Sequence, residues 1–222
     1  MNIASLVGAR MPHLPANDPY FAQTILLSNA QSFDDLSPLA HGHASTNVSL
    51  SSAQSVFGGT SFFSDGTLGN ILTYAASVTF GTGTFTLEFW AYNTGTGGTT
   101  RYLMAWSAAN YTARNNTTGV YTFSGLTTVA DSPAASANAW HHIVIQRNAD
   151  GKIRAATDGV FSVLASEVTA VGVSGAFGIV NVPARTDLPP FQGYIGPFRL
   201  TNGVARYNIA GFTPPVAPFP IS

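Results

Sequence analysis

Cysteine is absent from all 222 residues, so neither a disulfide framework nor a thiolate metal site can hold this chain together. Charge is scarce as well. Lys, Arg, Asp and Glu make up 9% of the residues and nearly cancel, leaving a formal net charge of -1. Without clustered Lys and Arg there is no basic face to grip phosphates, which argues against nucleic acid as a partner. No apolar run is long enough for a membrane-spanning helix, and Met1 to Arg10 lacks the apolar core of a secretory signal, so no membrane partner is expected. The expectation is assembly in a reducing cytoplasm. Helical periodicity is hard to find, and glutamate occurs only as Glu88 and Glu167.

What is present suits strands and turns: Ser, Thr, Asn, Gln and Gly around short, alternating apolar stretches. Thr84 to Asn93 reads as a strand with Phe85, Leu87 and Phe89 on the core face and Thr86, Glu88 and Trp90 on the other. Trp140 to Arg147 alternates with both faces partly covered, which suggests a central strand. Asp150-Gly151 and Asp158-Gly159 supply turns, so Lys152 to Thr157 and Val160 to Leu164 should complete a three-strand meander. Phe191 to Leu200 is a late strand, Thr201-Asn202-Gly203 a turn, and Gly95-Thr96-Gly97-Gly98 a hairpin loop. Prolines 12, 15 and 19 block helix propagation near the start. The expected organisation is an extended N-terminal arm over 1–22, one sandwich or barrel of strands over 23–208 and a Pro-rich strap over 209–222. That strap reads either as a cover for the domain's own surface or as a docking peptide for a neighbour.

Several stretches, taken in order, carry a resemblance. They are Asp18-Pro19-Tyr20-Phe21 with Ile25-Leu26-Leu27, Ser55 to Ser61, Phe80 to Trp90, Trp140-His141-His142-Ile143-Val144 with Asp158-Gly159-Val160, and Gly193-Tyr194-Ile195 to Tyr207, ending at Phe212-Thr213-Pro214-Pro215. Together they resemble laminin-G-like, concanavalin A-like jelly rolls of the kind found in bacteriophage virion proteins. The resemblance implies an all-β, two-sheet antiparallel jelly-roll sandwich. It also implies a non-enzymatic structural part of a phage particle, a head decoration or a tail or fibre component. Such a part would be a homo-oligomer docked on other virion proteins and located in the virion after assembly in the bacterial host cytoplasm. The alternative is a carbohydrate-binding attachment module recognising a host surface glycan, and a more remote one is a glycoside hydrolase. Relatives often carry acidic residues after the Gly-Tyr-Ile segment, where this chain has Gly196 and Pro197, which removes support for a calcium site on that strand.

The chemistry available to each reading differs. A glycosidase needs a carboxylate pair, and no strand carries two glutamates on one face, so no catalytic residue is assigned. No Gly-x-Ser-x-Gly elbow is present, and among so many serines a chance pairing with a histidine carries no weight. His41 and His43 would share a face if their segment were a strand, but with only Asp34 and Asp35 nearby a structural role is the stronger reading, and no metal site is assigned. Calcium through Asp34, Asp35 and Asp65 is the one cofactor to weigh, and none is expected. A glycan would be held by aromatic rings and amides, and the expected ligand-binding residues are Trp90, Tyr92, Trp106, Asn110, Tyr111 and Tyr121, with Asn115 and Asn116 framing the site. Each ring also has a core reading, and large aromatics in a sandwich fill the core about twice as often as they line a site.

Overall fold

The computed structural model describes residues 17–77, 79–107, 110–124, 129–163, 166–167, 171–172, 176–181 and 189–222. Most of the expected N-terminal arm, residues 1–16, and Leu164 of the expected strand lie outside these residues. Among the described residues there is one 3-10 turn, Phe21–Gln23, and no helix long and apolar enough to cross a membrane. The strands are β1 (Thr24–Ser28), β2 (His43–Thr46), β3 (Ser49–Ser51), β4 (Ser61–Asp65), β5 (Ile71–Tyr74), β6 (Thr79–Gly81), β7 (Phe85–Asn93), β8 (Thr100–Ala105) and β9 (Tyr111–Asn115). They continue as β10 (Tyr121–Ser124), β11 (Val129–Asp131), β12 (Trp140–Arg147), β13 (Lys152–Thr157), β14 (Val160–Phe161), β15 (Ser166–Glu167), β16 (Val171–Gly172), β17 (Phe177–Ile179) and β18 (Gln192–Asn202).

Two antiparallel sheets form the jelly-roll sandwich. The larger runs β14-β13-β12-β7-β18-β4-β3, with β1 added on β18 and β15 on β13; the smaller runs β11-β10-β9-β8-β17-β5-β2. Period-two alternation decides what each strand buries. On β7 and β12, Phe85, Leu87, Phe89, Ile143 and Ile145 point inward to meet Leu103, Met104, Phe123, Phe177 and Ile179 of the smaller sheet. Removing each such side chain from water contributes ~1.5–3 kcal/mol.

β18 organises the larger sheet. It pairs with β7 along nearly its whole length, but a bulge at Gly196-Pro197 divides it. Its first half, Gln192 to Ile195, pairs with β4 on the other side, and its second half, from Phe198, pairs with β1. Proline lacks an N–H for the ladder, so a bulge is where a strand tolerates it. Thr201 and Asn202, expected in a turn, belong to this strand: they pair with Thr86 and Phe85, and only Gly203, with φ 74°, leaves it. The Gly95 to Gly98 segment, expected to close a hairpin, instead carries the chain from β7 in one sheet to β8 in the other. Local turn residues are the same in both cases, and only long-range pairing distinguishes them.

The outer face of the larger sheet is mostly covered. The C-terminal chain crosses it, with Tyr207 bonded through its backbone to Gln146 and Phe212 packed on His142 and Phe161. Phe219 is held by Asn29 and lies beneath the Arg199 guanidinium, and the Ser222 carbonyl accepts from the Asp18 N–H. The loop before β4 contributes Phe57, edge-on to Trp90. The segment just before β1 thus meets the C-terminal residues over the sheet.

Candidate functional site

Successive rows of side chains on the outer face of the larger sheet run perpendicular to the strands, and their chemistry changes from one end to the other. The row of Gln146, Thr86 and Thr201 and the next, with Glu88 and Arg199, lie under the C-terminal segment and are buried. The third row, His142 and Trp90, is closed by Phe57 and Phe212. The fourth row is open. In it Trp140 pairs with Tyr92, Tyr92 with Tyr194 and Tyr194 with Phe63, one half-buried aromatic ring on each of β12, β7, β18 and β4.

Ring centroids along this ladder lie 5.6, 5.9 and 5.0 Å apart. Tyr92 stands edge-on to both neighbours, at 61° to Trp140 and 80° to Tyr194, while Phe63 is tilted 39° from Tyr194. Two residues beyond the ring positions, Gln192 and Asp65 pair with each other and share the face of the rings by alternation, while Thr94 and Asn138 stand in the loops next to β7 and β12. An amide and a carboxylate therefore border the Tyr194 and Phe63 end of the row, with a hydroxyl and a second amide in the adjoining loops. The Asp65 carboxyl is held below its ordinary value, first by the Thr67 N–H and also by Asn70, so it is charged at neutral pH.

Two glycines shape this row. At Gly193, φ is 138°, and an added Cβ would sit 2.1 Å from the Tyr92 carbonyl oxygen. The close approach of β18 to β7 beside Tyr194 therefore needs glycine. Gly193→Ala is expected to destabilise the fold by roughly 1–3 kcal/mol, read as a lower urea midpoint; an unchanged midpoint would show that the strands separate there freely. A Cβ on Gly196 would meet Trp90 at 3.0 Å and the Trp140 ring at 3.2 Å, so the bulge leaves space for both indoles.

The six residues expected from the sequence do not converge. Trp106 and Tyr121 are core residues, exposed by 0% and 1%, because their strands turn those positions inward. Trp90 faces outward beneath Phe57 and His142. Asn110 shapes the turn before β9, binding Ser107 through both its N–H and its side-chain amide. Tyr111 packs on Tyr102 on the outer face of the smaller sheet, 4.7 Å between centroids. Tyr92 alone belongs to the ladder. Asn115 accepts from Thr117 and Thr118, and Asn116 from Arg114, so these amides hold local structure. Trp140, Tyr194 and Phe63 are far apart in sequence, and only strand pairing brings them into one row with Tyr92.

The other polar constellations are structural. The Glu88 carboxylate is fully buried: Oε1 accepts from Nε and Nη2 of Arg199 at 2.9 and 2.6 Å, Oε2 accepts from the Tyr207 hydroxyl, and His142 Nε2 lies 3.2 Å away. Asp18 joins this network, accepting from Arg199 at 2.8 Å and from Arg206 at 2.9 Å. Burial pushes the Glu88 carboxyl up, but the Arg199 charge and the hydrogen bond from His142 pull it down to about 2. No substrate reaches a carboxylate sealed in this way, which removes the glutamate that a glycosidase would have used.

His41 is bound to Asp35 at 2.7 Å, whereas His43 packs between Phe33 and Tyr74, so the two do not form a ligand pair. Both Asp35 oxygens are occupied by Leu27, Ser37 and His41, and among the described residues no three acidic or histidine side chains are grouped to hold a metal. Ser136, His141 and Asp158 do form a hydrogen-bonded chain, at 2.9 and 2.6 Å, a juxtaposition that their sequence spacing did not reveal. The Asp158 side chain is 44% exposed, unlike the buried acid of a nucleophilic triad, and its other oxygen accepts from the His142 N–H. The chain of bonds ties the 132–139 loop to the β13–β14 turn. A shallow pocket of about 240 Å³ lies between β2 and β5, lined by Gly42, His43, Ala44, Thr73, Ala75 and Ala176, with His43 and Thr73 as its polar side chains.

The sandwich is similar in fold to several solved domains. Domain 4 of AbnA, a GH43 extracellular arabinanase from Geobacillus stearothermophilus solved with arabinotriose, matches with a TM-score of 0.58 at 13% identity, over 82% of this chain and 93% of that one. The botulinum neurotoxin serotype D ligand-binding domain, solved with N-acetylneuraminic acid, gives 0.62 at 12% identity, over 84% of this chain and 49% of that one. Trypanosoma rangeli sialidase, solved with sialic acid, gives 0.59 at 10% identity, over 82% and 31%. This chain therefore spans nearly all of the first and half or less of the other two. Among curated proteins none is significantly similar to it in sequence. The laminin-G-like family model described as the concanavalin A-like lectin/glucanases superfamily matches residues 65–206, well over half of the chain, and the protein belongs to that family.

Proposed function

We propose that this protein is a non-catalytic carbohydrate-binding module whose glycan lies on the Trp140, Tyr92, Tyr194 and Phe63 ladder. The open aromatic row bordered by amides and a carboxylate carries this reading. Pyranose rings present apolar C–H faces that stack on aromatic rings, while hydroxyls at the ring edge need donors and acceptors beside them. Asn138, Thr94, Gln192 and Asp65 are such groups. The sugars bound to the similar domains agree with this choice, although at 10–13% identity the likeness is one of fold.

The sequence alone ranked a passive virion part first and glycan attachment second; the ladder reverses that order. A place on a phage particle stays within the proposal, since an attachment module there would present the same row to a host surface. The test is a glycan-array screen of the purified protein with Trp140→Ala and Tyr194→Ala alongside. Reproducible binding to one sugar class, weakened at least about tenfold by either substitution in a folded variant, is the expected result. A blank array, or binding that both variants retain in full, would remove the proposal.

A further inference from the structure

Building on the glycan reading above, we infer that the ligand is an extended oligosaccharide lying across the strands, with stacking positions at Trp140 and Tyr194. The direction follows from register: the four rings sit opposite one another on adjacent strands, so the apolar strip runs perpendicular to the chain direction of the sheet. Strands are spaced ~4.8 Å apart, which makes the strip three spacings or ~14 Å long, the reach of about three sugars.

The ring angles select alternate positions. Because Tyr92 is edge-on to both neighbours, Trp140 and Tyr194 form one set of rings two strands apart, ~10 Å. In an extended pyranose chain with two-fold character, alternate sugars turn the same face to one side at a similar separation. A sugar over Trp140 and the next but one over Tyr194 would each find a ring, with Tyr92 beneath the sugar between them.

On one side of the strip Trp90, Phe57 and the Gly196 bulge close the sheet. On the other, Gln192 and Asp65 stand beside the Arg101 guanidinium, which donates to the Gly66 and Pro190 carbonyls, so sugar hydroxyls meet both acceptors and donors along that edge.

Calorimetric titration with β-1,4-linked glucose, mannose and N-acetylglucosamine oligomers, from monomer to hexamer, tests this directly. Affinity for at least one series is expected to rise about tenfold or more from monomer to trimer and then to level off. Tyr194→Ala should abolish the gain beyond the dimer. Equal affinity for monomer and tetramer would overturn the extended ligand while leaving glycan binding intact. So would an array on which only monosaccharides bind. A wholly blank array would instead remove the underlying reading.

Discussion

Replacing Glu88 by glutamine is expected to lower folding stability by about 3–5 kcal/mol, the range that follows when one partner of a buried ion pair is removed. The carboxylate is fully buried and accepts from Arg199 through two nitrogens and from Tyr207. Glutamine keeps the shape but loses the charge, leaving Arg199 and Arg206 with Asp18 as their remaining anion. Urea unfolding of the wild type and E88Q measures the effect. A change below about 1 kcal/mol would mean that water or a rearranged Asp18 neutralises Arg199 in place of Glu88. Substituting both Glu88 and Arg199 by methionine should recover much of the loss, because a buried pair replaced by apolar groups of similar volume no longer strands a charge.

Acid should unfold this protein through the same network. A carboxyl whose folded value lies below its unfolded one contributes stability that is fully present above the unfolded value and disappears as pH falls through the folded one. For Glu88 those limits are 4.5 and about 2. With ~1.4 kcal/mol per unit, the stability lost across that window is roughly 3 kcal/mol. Asp18 adds to the loss in the same direction, since its carboxyl is also lowered, against the effect of burial, by Arg206, the Tyr20 N–H and Arg199. The urea midpoint should therefore be flat from neutral pH to about 5 and fall steeply below about 4. In E88Q the slope should be much shallower. Parallel wild-type and variant curves would assign the acid sensitivity to other carboxyls.

Why the chain ends matter to both results is a question of position. Asp18 lies before the first strand, and Arg206 and Tyr207 lie after the last. Each is brought over the middle of the larger sheet, where Glu88 and Arg199 point outward from β7 and β18. The network therefore fastens the segments that flank the first and last strands onto the face that they cover. It leaves the fourth row, with its rings, as the uncovered end of that face.

Much of this architecture was legible in the sequence. Alternation in Phe85-Thr86-Leu87-Glu88-Phe89 set the inward and outward faces of β7, and the expected limits of β12 and β13 coincide with those observed. The Asp158-Gly159 turn, with φ of 50° and 86°, lies where the residue pair indicated. These features depend on neighbours within a few positions, where side-chain alternation and backbone preference act directly. Many such strands in order indicated a sandwich or a barrel, and the resemblance of the motifs narrowed this to a jelly roll.

The site was not legible in the same way. Trp106 and Tyr121 carried the chemistry of a sugar platform but were turned into the core, and Trp140, Tyr194 and Phe63 became one only through the pairings of β12, β7, β18 and β4. Nothing local distinguishes an aromatic ring that will fill the sandwich from one that will lie open on its outside. The sequence by itself determined that the chain folds as antiparallel strands around an apolar core, because short-range alternation and turn chemistry decide that. Tertiary structure alone decided which rings stand side by side and which acids are sealed, because register between distant strands and the cover laid down by the chain ends are long-range properties.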